Sequence, residues 1–274
     1  MTRLPIYQVD SFTSQTFRGN PAAVVPLESW LPDELLQNIA LENNLAETAF
    51  FVPRDDRTFE LRWFTPTQEA PICGHATLAA AWVMCNKLGY ALEHIVFQSP
   101  LAGELQVNRR GDMLELDFPR YDYQQIFEFP DALIKGIGTQ PLEVYHCRIG
   151  YFCLLESETA VRAVQPVLSM LETLHPNCTI VMARGDECDF VSRDFAPGMG
   201  IAEDPVTGSN HCVLTPLWAE KLGKTELHAR QVSARAGDLW CQLEGDRVLI
   251  AGYVAPYLEG FIEVPILEEN CALE

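Results

Sequence analysis

The sequence predicts an α+β chain in which one arrangement, many strands with one long apolar helix, is given twice. Three observations predict it. Strand-like runs recur along the whole chain. Two strongly apolar helical segments follow glycine-containing turns and stop at glycines, Gly89 and Gly223. The letters before those helices also repeat: Glu69-Ala70-Pro71-Ile72-Cys73-Gly74-His75 lies over Glu203-Asp204-Pro205-Val206-Thr207-Gly208-Ser209 without a gap, identical at three of seven positions. Upstream, Phe64-Thr65-Pro66 echoes Phe195-Ala196-Pro197, so the match extends beyond the helix starts to their flanks.

The elements follow in order. Residues 6–12 read as a strand, Arg18-Gly19-Asn20-Pro21 as a turn, and residues 22–25 as a short apolar run. Ser29 is the expected cap of a helix starting near Pro32, with Asp33 and Glu34 in the first turn, where acids oppose the partial positive charge. Leu35, Leu36, Ile39 and Ala40 fall at helical spacing, and the helix fades at Asn43-Asn44. Strands at 48–52 and 59–64 lead to Pro66 and Pro71, which break the chain before an alanine-rich helix over about 75–88. Residues 95–98, 104–108 and 113–118 are three further strands, the last alternating Leu114, Leu116 and Phe118 against Glu115 and Asp117. Residues 119–130, aromatic and polar without a period, are expected to be a linker. Beyond it strands are expected at 142–147, 151–155, 179–183 and 189–194, then the second apolar helix over about 209–222. Three or four strands close the chain, including 248–254 and 261–264.

At 274 residues, 48% hydrophobic and 21% charged, the chain is long enough for two domains and buries a core without cross-links. Its nine cysteines include no CxxC pair, so free thiols are expected rather than a zinc ribbon or a redox pair. Nineteen basic against 38 acidic residues leave a formal charge of −19, a field that repels polyanions and argues against nucleic acid and anionic membranes as partners. No stretch approaches the length of a bilayer-spanning helix, and the opening MTRLPIYQVDSF has no basic segment followed by an apolar run. A soluble, cytoplasmic chain is expected.

Each repeated segment is a strand, a proline-bounded turn, a glycine and a helix start. A helix N-terminus presents unpaired N–H groups and partial positive charge, and Gly74 and Gly208 let a ligand approach the backbone closely. Two such ends facing one another would hold a small carboxylate from both sides; the plainer reading is two well-made helix starts. Cys73, His75 and Asp204 are the titratable groups beside these glycines. His75, in the first turn of a helix, is expected to be neutral, because the dipole disfavours added positive charge. Glu47 is a lone carboxylate entering the apolar run Thr48-Ala49-Phe50-Phe51. Buried there, its pKa would rise into the range useful for proton transfer; at an exposed edge it would be an ordinary charge.

Other chemistries are poorly served. GxxxxGK[ST], HExxH and GxSxG are absent, and Gly136-Ile137-Gly138 and Gly198-Met199-Gly200 are incomplete as dinucleotide fingerprints. Four lysines, Lys87, Lys135, Lys221 and Lys224, give little basis for Schiff-base chemistry. Proton transfer with no cofactor and no metal is what remains.

Four separated motifs then resemble one family. Val9-Asp10-Ser11-Phe12 with Phe17-Arg18-Gly19-Asn20-Pro21, Glu47-Thr48-Ala49-Phe50, the run from Phe64-Thr65-Pro66 to Cys73-Gly74-His75-Ala76-Thr77, and Glu203-Asp204-Pro205-Val206-Thr207-Gly208 together resemble the PhzF-like phenazine-biosynthesis isomerases, in the same order over nearly the whole chain. The resemblance implies a diaminopimelate epimerase-like fold: two pseudo-symmetric domains, residues 1–118 and 119–274, each a curved, barrel-like sheet around a central helix. The last strand is free to return to the first domain, and the active site lies in the interdomain cleft. It further implies a cofactor-independent isomerase, a homodimer, acting on a small carboxylate. Glu47 would be the general acid/base, His75 and Asp204 would orient the substrate or assist proton movement, and Gly74, Gly208 and Ser209 would bind it.

Two alternatives stand beside this reading. Racemases and epimerases of the same superfold carry a cysteine at each helix start, and Cys73 fits the first, where the helix start would favour a reactive thiolate. The paired position is Thr207, whose hydroxyl is too weakly acidic to oppose it, and Cys212, five residues on, is expected to point elsewhere. Stereoinversion is thus disfavoured, while a dehydratase using Cys73 as base stays open. The other alternative is a non-catalytic small-ligand-binding protein on the same scaffold, against which the joint presence of Glu47, His75 and Asp204 counts.

Overall fold

The computed structural model of the chain describes residues 2–55 and 57–265. The first half runs β1 (Thr2–Ser11), β2 (Asn20–Pro26), α1 (Asp33–Asn43), β3 (Glu47–Pro53), β4 (Thr58–Phe64), β5 (Glu69–Ala70), α2 (Gly74–Lys87), β6 (His94–Ser99), β7 (Gly103–Arg110) and β8 (Met113–Pro119). The second runs β9 (Gln124–Ile126), α3 (Asp131–Ile137), β10 (Glu143–Cys147), β11 (Gly150–Leu154), α4 (Glu158–Ala163), α5 (Leu168–Leu171), β12 (Cys178–Arg184), β13 (Phe190–Ala196) and β14 (Ile201–Asp204). It ends with α6 (His211–Leu222), β15 (Glu226–Gln231), β16 (Gly237–Glu244), β17 (Arg247–Gly252) and β18 (Val254–Val264).

Strand pairing repeats between the halves. In the first, β1–β2 is antiparallel, β2–β3 parallel, β3–β4 antiparallel, β4–β6 parallel, and β6–β7–β8 antiparallel. In the second, β10–β11, β11–β12, β12–β13, β13–β15 and β15–β16–β17 follow the same pattern. The register repeats too: Thr48 faces Phe64 as Thr179 faces Phe195, and Trp63 faces Ala70 as Asp194 faces Asp204. Antiparallel pairing of β8 with β17 joins the two half-sheets into one hydrogen-bonded network. β9 pairs with β10, and β18, at the other end of the chain, pairs with β1 in the equivalent place.

A parallel pair needs a crossover, and each half uses one to bring its long helix against the sheet. The helices are apolar nearly all round, which suits a buried core element rather than a surface one. Leu78, Ala79, Ala80, Ala81, Val83 and Met84 of α2 are buried, as are Val213, Leu214, Leu217 and Trp218 of α6. Both belong to a single hydrophobic cluster that spans the halves. Phe12 locks them together. Fully buried at φ 65°, it fills the space that a side chain at Gly237 or Gly252 of the second half would occupy.

The sequence repeat has a physical cause. Glu69 and Glu203, identical in the two segments, each hold an arginine of the preceding strand through paired hydrogen bonds, Arg62 at 2.7 Å twice and Arg193 at 2.8 and 3.0 Å. A bidentate arginine–carboxylate pair fixes the geometry of the hairpin from which each central helix departs.

Some local expectations are corrected. Ser29 does not cap α1; Pro32 holds the cap position with no side-chain bond, and its carbonyl receives the N–H groups of Leu35 and Leu36. Residues 119–130 are not a plain linker, since they contain β9, which extends the second half-sheet. Helices α3, α4 and α5 and strand β14, four to seven residues each, are too short to register a period in the letters. The eight cysteines among the described residues are free thiols. No helix among the described residues is long and apolar enough to cross a membrane.

Candidate active site

Both halves send a helix start to one place. Gly74 opens α2 after the extended Cys73, and Gly208 opens a 3-10 turn, Gly208–Asn210, that runs into α6. The two starts meet at van der Waals distance: a Cβ on Gly208 would stand 4.0 Å from the Gly74 Cα. The two are braced alike. Thr77 Oγ1 donates to the Cys73 carbonyl at 2.6 Å, and His211 Nδ1, which must carry the proton, donates to the Thr207 carbonyl at 3.0 Å.

Between the starts lies a cleft of about 90 Å³. The first half lines it with Glu47, Cys73, Gly74, His75 and Phe118, the second with Tyr121, Asp204, Thr207, Gly208, Ser209 and Cys212. Every residue expected from the sequence to form the site is therefore present in one cleft. A larger groove, about 610 Å³, runs along residues 120–123 and the end of α6. Its charged side chains, Arg120, Asp122, Glu220 and Lys224, stand in solvent, so the converging acid–base chemistry belongs to the smaller space.

Glu47 is the first residue of β3, and its side chain is 13% exposed. Burial raises its carboxyl to about 8, aided by the charge of Asp204 and opposed by a hydrogen bond from Cys73. His75 Nε2 lies 3.2 Å from Glu47 Oε2, but its N–H is not aligned to donate and the atom is otherwise unpartnered. Burial drives the imidazole down to about 3 against the pull of the Pro21 carbonyl, so this contact joins two neutral groups rather than an ion pair. The expected thiolate at Cys73 is corrected: burial, then the nearby Glu47 and Asp204 charges, push the thiol well above its usual range. Cys73 Sγ sits 3.4 Å from His75 Nδ1 as a thiol.

Asp204 is held from both halves. Asn20 Nδ2 donates to its Oδ1 at 2.8 Å, and the Thr207 hydroxyl bonds its Oδ2. Gln231 fixes the loop between, accepting the Thr207 N–H at 2.9 Å and donating to the Asp204 carbonyl at 2.7 Å. Burial raises the Asp204 carboxyl while these hydrogen bonds work against that rise. Glu47, Cys73 and His75 place donor atoms within 4.8 Å of one another, the one such group among the described residues. A thiol and a carboxyl that both hold protons make a poor metal set, since ligands must first be deprotonated.

Cys212 does line the cleft, contrary to expectation, because the 3-10 turn delays the helix and turns its first residues inward. Burial holds its thiol up at about 12, so it supplies no second base. Tyr121 was hidden inside the supposed linker. Its N–H bonds the Cys212 carbonyl at 3.0 Å, the acceptor that Pro216, lacking an N–H, leaves free in α6. Asp194 could have been flagged by the signal that marks Glu47, an acid inside an apolar strand. Asn20 and Pro21, expected in a turn, are the first residues of β2, and the reach of Asn20 across the fold is something only the structure reveals.

Residues 9–260 match the PhzC-PhzF family, described as phenazine biosynthesis-like protein. An uncharacterized isomerase of Pseudomonas aeruginosa is 48% identical over 262 residues, 96% of this chain and 99% of that one. The crystal structure of a PhzF-family phenazine biosynthesis protein from Enterococcus faecalis is 42% identical, with a TM-score of 0.92 over 96% of this chain and 100% of that one. A probable proline racemase from Agrobacterium radiobacter, 11% identical over 98% of this chain and 94% of its own, shares the fold alone, at a TM-score of 0.59. Two pseudo-symmetric, epimerase-like halves, an acid–base cleft at their facing helix starts and a match over nearly the full length lead to one assignment: the chain belongs to the PhzC-PhzF family of phenazine biosynthesis-like enzymes.

Proposed function

We propose that this enzyme is a cofactor-independent isomerase that moves a proton between two carbons of a small carboxylate, with Glu47 as its acid/base. The observation that carries the reading is the Glu47 carboxyl, held at about 8 beside a neutral His75 and a protonated Cys73. A group with that affinity exchanges a proton with carbon near neutral pH, where an ordinary carboxylate is too weak a base. In the forward step the ionised form of Glu47, the minor population at neutral pH, takes the proton as a C–H bond breaks, and the electron pair passes into the substrate's conjugated system. The O–H bond then breaks as a C–H bond forms at a second carbon, and Glu47 returns to its starting state.

The N–H groups at Gly74, Gly208 and Ser209 would hold the substrate carboxylate, since helix starts favour anions. Neutral His75 would serve as a hydrogen-bonding group, and Asp204 would orient the substrate from the opposite wall. Phe118 and Tyr121 give the cleft aromatic walls suited to a planar ring. We take residues 1–118 and 119–274 as the two domain units, with β18 tying the end of the chain to the first, and a cytoplasmic homodimer as the working assembly. Sedimentation at working concentration tests the dimer.

An epimerase or dehydratase based on Cys73 is the weaker reading, because its thiol holds its proton and Thr207 opposite is committed to carboxylates. The deciding experiment screens cyclic and amino-acid-like carboxylates for thermal stabilisation, then measures solvent-deuterium incorporation into each stabilising ligand. Carbon-bound deuterium supports the isomerase. A ligand that binds and never exchanges supports a non-catalytic binding protein.

A further inference from the structure

Thr207 stands between two buried carboxyls. Its Oγ1 lies 3.0 Å from Asp194 Oδ2 and is also hydrogen-bonded to Asp204 Oδ2, while Gln231 Nε2 approaches the same oxygen at 3.3 Å. A hydroxyl has one proton to give and two lone pairs to receive. With both aspartates ionised, one of the two carboxylate contacts would be oxygen against oxygen with no proton between. With one aspartate protonated, every contact is satisfied: Thr207 donates once and accepts from the carboxylic acid and from Gln231.

The surroundings choose which aspartate holds the proton. Asp204 Oδ1 receives the Asn20 amide at 2.8 Å, a bond that favours the ionised form. Asp194 Oδ1 is buried with no aligned hydrogen bond, the Asn210 amide being the donor near this carboxyl, a setting tolerable for the carbonyl of a neutral acid and costly for a charged oxygen. The pair is also peculiar to the second half. Asp194 and Asp204 face each other where Trp63 and Ala70 face each other in the first, so the fold does not require them.

We propose that Asp194 is a positioning residue for the cleft: it carries a proton, gives it in a hydrogen bond to Thr207, and so leaves the Thr207 proton to Asp204, the ionised carboxylate of the pair. Asp194 does not line the cleft and acts only through Asp204. Its effect reaches Glu47, whose proton is held partly by the Asp204 charge. Burial and the Asp204 charge hold Asp194 up at about 7, consistent with this distribution. The groups facing it are Asp204 and Glu203 of β14, Thr207, the Asn210 side chain before α6, and Cys178 of β12, whose thiol is pushed well above its usual range. None of these supplies a cation. The proposal rests on the reading of Asp204 as a cleft group, and its test measures ionisation rather than turnover, so each can fail alone.

The full chain, labelled with ¹³C at the aspartate side-chain carboxyl, is titrated by NMR from pH 4.5 to 8.5 without ligand. One resonance at the carboxylic-acid position at pH 6, with a midpoint near 7, is expected. It should vanish in Asp194→Asn, whose amide still donates to Thr207, while the Asp204 midpoint should stay close to its wild-type value, because Asp194 is already neutral where Asp204 titrates. A wild-type spectrum with no protonated carboxyl at pH 6 overturns the proposal without any variant. So does a protonated resonance that survives Asp194→Asn and disappears in Asp204→Asn.

Discussion

Cys178 occupies in the second half the position that Glu47 occupies in the first. Each begins its strand, each follows a parallel neighbour, and each precedes a threonine that faces a phenylalanine, Thr48 with Phe64 and Thr179 with Phe195. The backbone is two-fold and the chemistry is not. Burial and the charges of Asp194 and Asp204 push the Cys178 thiol well above its usual range, so it offers no matching base. One carboxyl, Glu47, stands alone on its side of the cleft.

Glu47→Gln keeps the shape and hydrogen-bonding reach of the side chain and removes its exchangeable acid. The variant should bind a stabilising ligand with affinity close to that of the wild type by calorimetry. Its deuterium exchange into that ligand should be slower by roughly 10²–10⁴, the usual cost of a lost general acid/base. Exchange at the wild-type rate would mean that another group is the base.

Cys73→Ala should retain most of the activity, because a thiol that holds its proton is neither base nor nucleophile. Wild-type Cys73 should also alkylate slowly with iodoacetamide at pH 8, followed by mass spectrometry of the peptide. Rapid alkylation, or an activity loss matching that of Glu47→Gln, would return the epimerase and dehydratase readings to favour.

Stability should fall as pH rises above neutrality. Glu47 and Asp194 hold their protons in the folded state to about 8 and about 7, against 4.5 and 3.8 for the free groups. Raised values contribute stability that is present at low pH and lost as pH climbs through the folded values. His75 and His211, lowered to about 3 and about 4, act in the opposite sense, contributing above 6.5 and losing that contribution as pH falls. Between pH 6.5 and 8.5 the carboxyls dominate, and the unfolding free energy should drop by about 1–2 kcal/mol. Urea midpoints at the two pH values measure it, and Glu47→Gln should flatten the decline. A midpoint that rises with pH contradicts the assignment.

Phe12→Ala should be among the most damaging single substitutions away from the chemistry. The ring is fully buried between the halves, against Gly208, Gly237 and Gly252, which have no side chains of their own to move into the space. A loss of about 3–5 kcal/mol is expected from the chemical-denaturation midpoint. A cost under about 1 kcal/mol would show that the halves are held together by other contacts.

Much of this was written in the letters. The repeat around Gly74 and Gly208 is legible because one task, an arginine-anchored hairpin that launches a central helix, is done twice with the same glutamate at the same spacing. Both central helices are legible because a segment apolar on every face belongs in a core. Glu47 stands out because a lone acid in an apolar strand is costly unless it has a use. The short helices and β14 left no mark, since pieces of a turn or two are stabilised by tertiary packing more than by their own period.

The sequence by itself determined the two-fold plan, the apolar helices that the sheets close upon, and the list of residues that lie near the helix starts. Tertiary structure decided the burial that sets the state of those residues, including the Glu47 choice between an exposed and a buried carboxyl and the protonated Cys73. Proton affinity depends on distance and burial, so the neutral His75, the protonated Cys73 and the high Glu47 follow from how two distant segments close one cleft. Asn20 reaches Asp204 across 184 positions of chain, and Pro216 frees a carbonyl for Tyr121, because folding brings to hydrogen-bonding range groups whose separation in sequence carries no distance information.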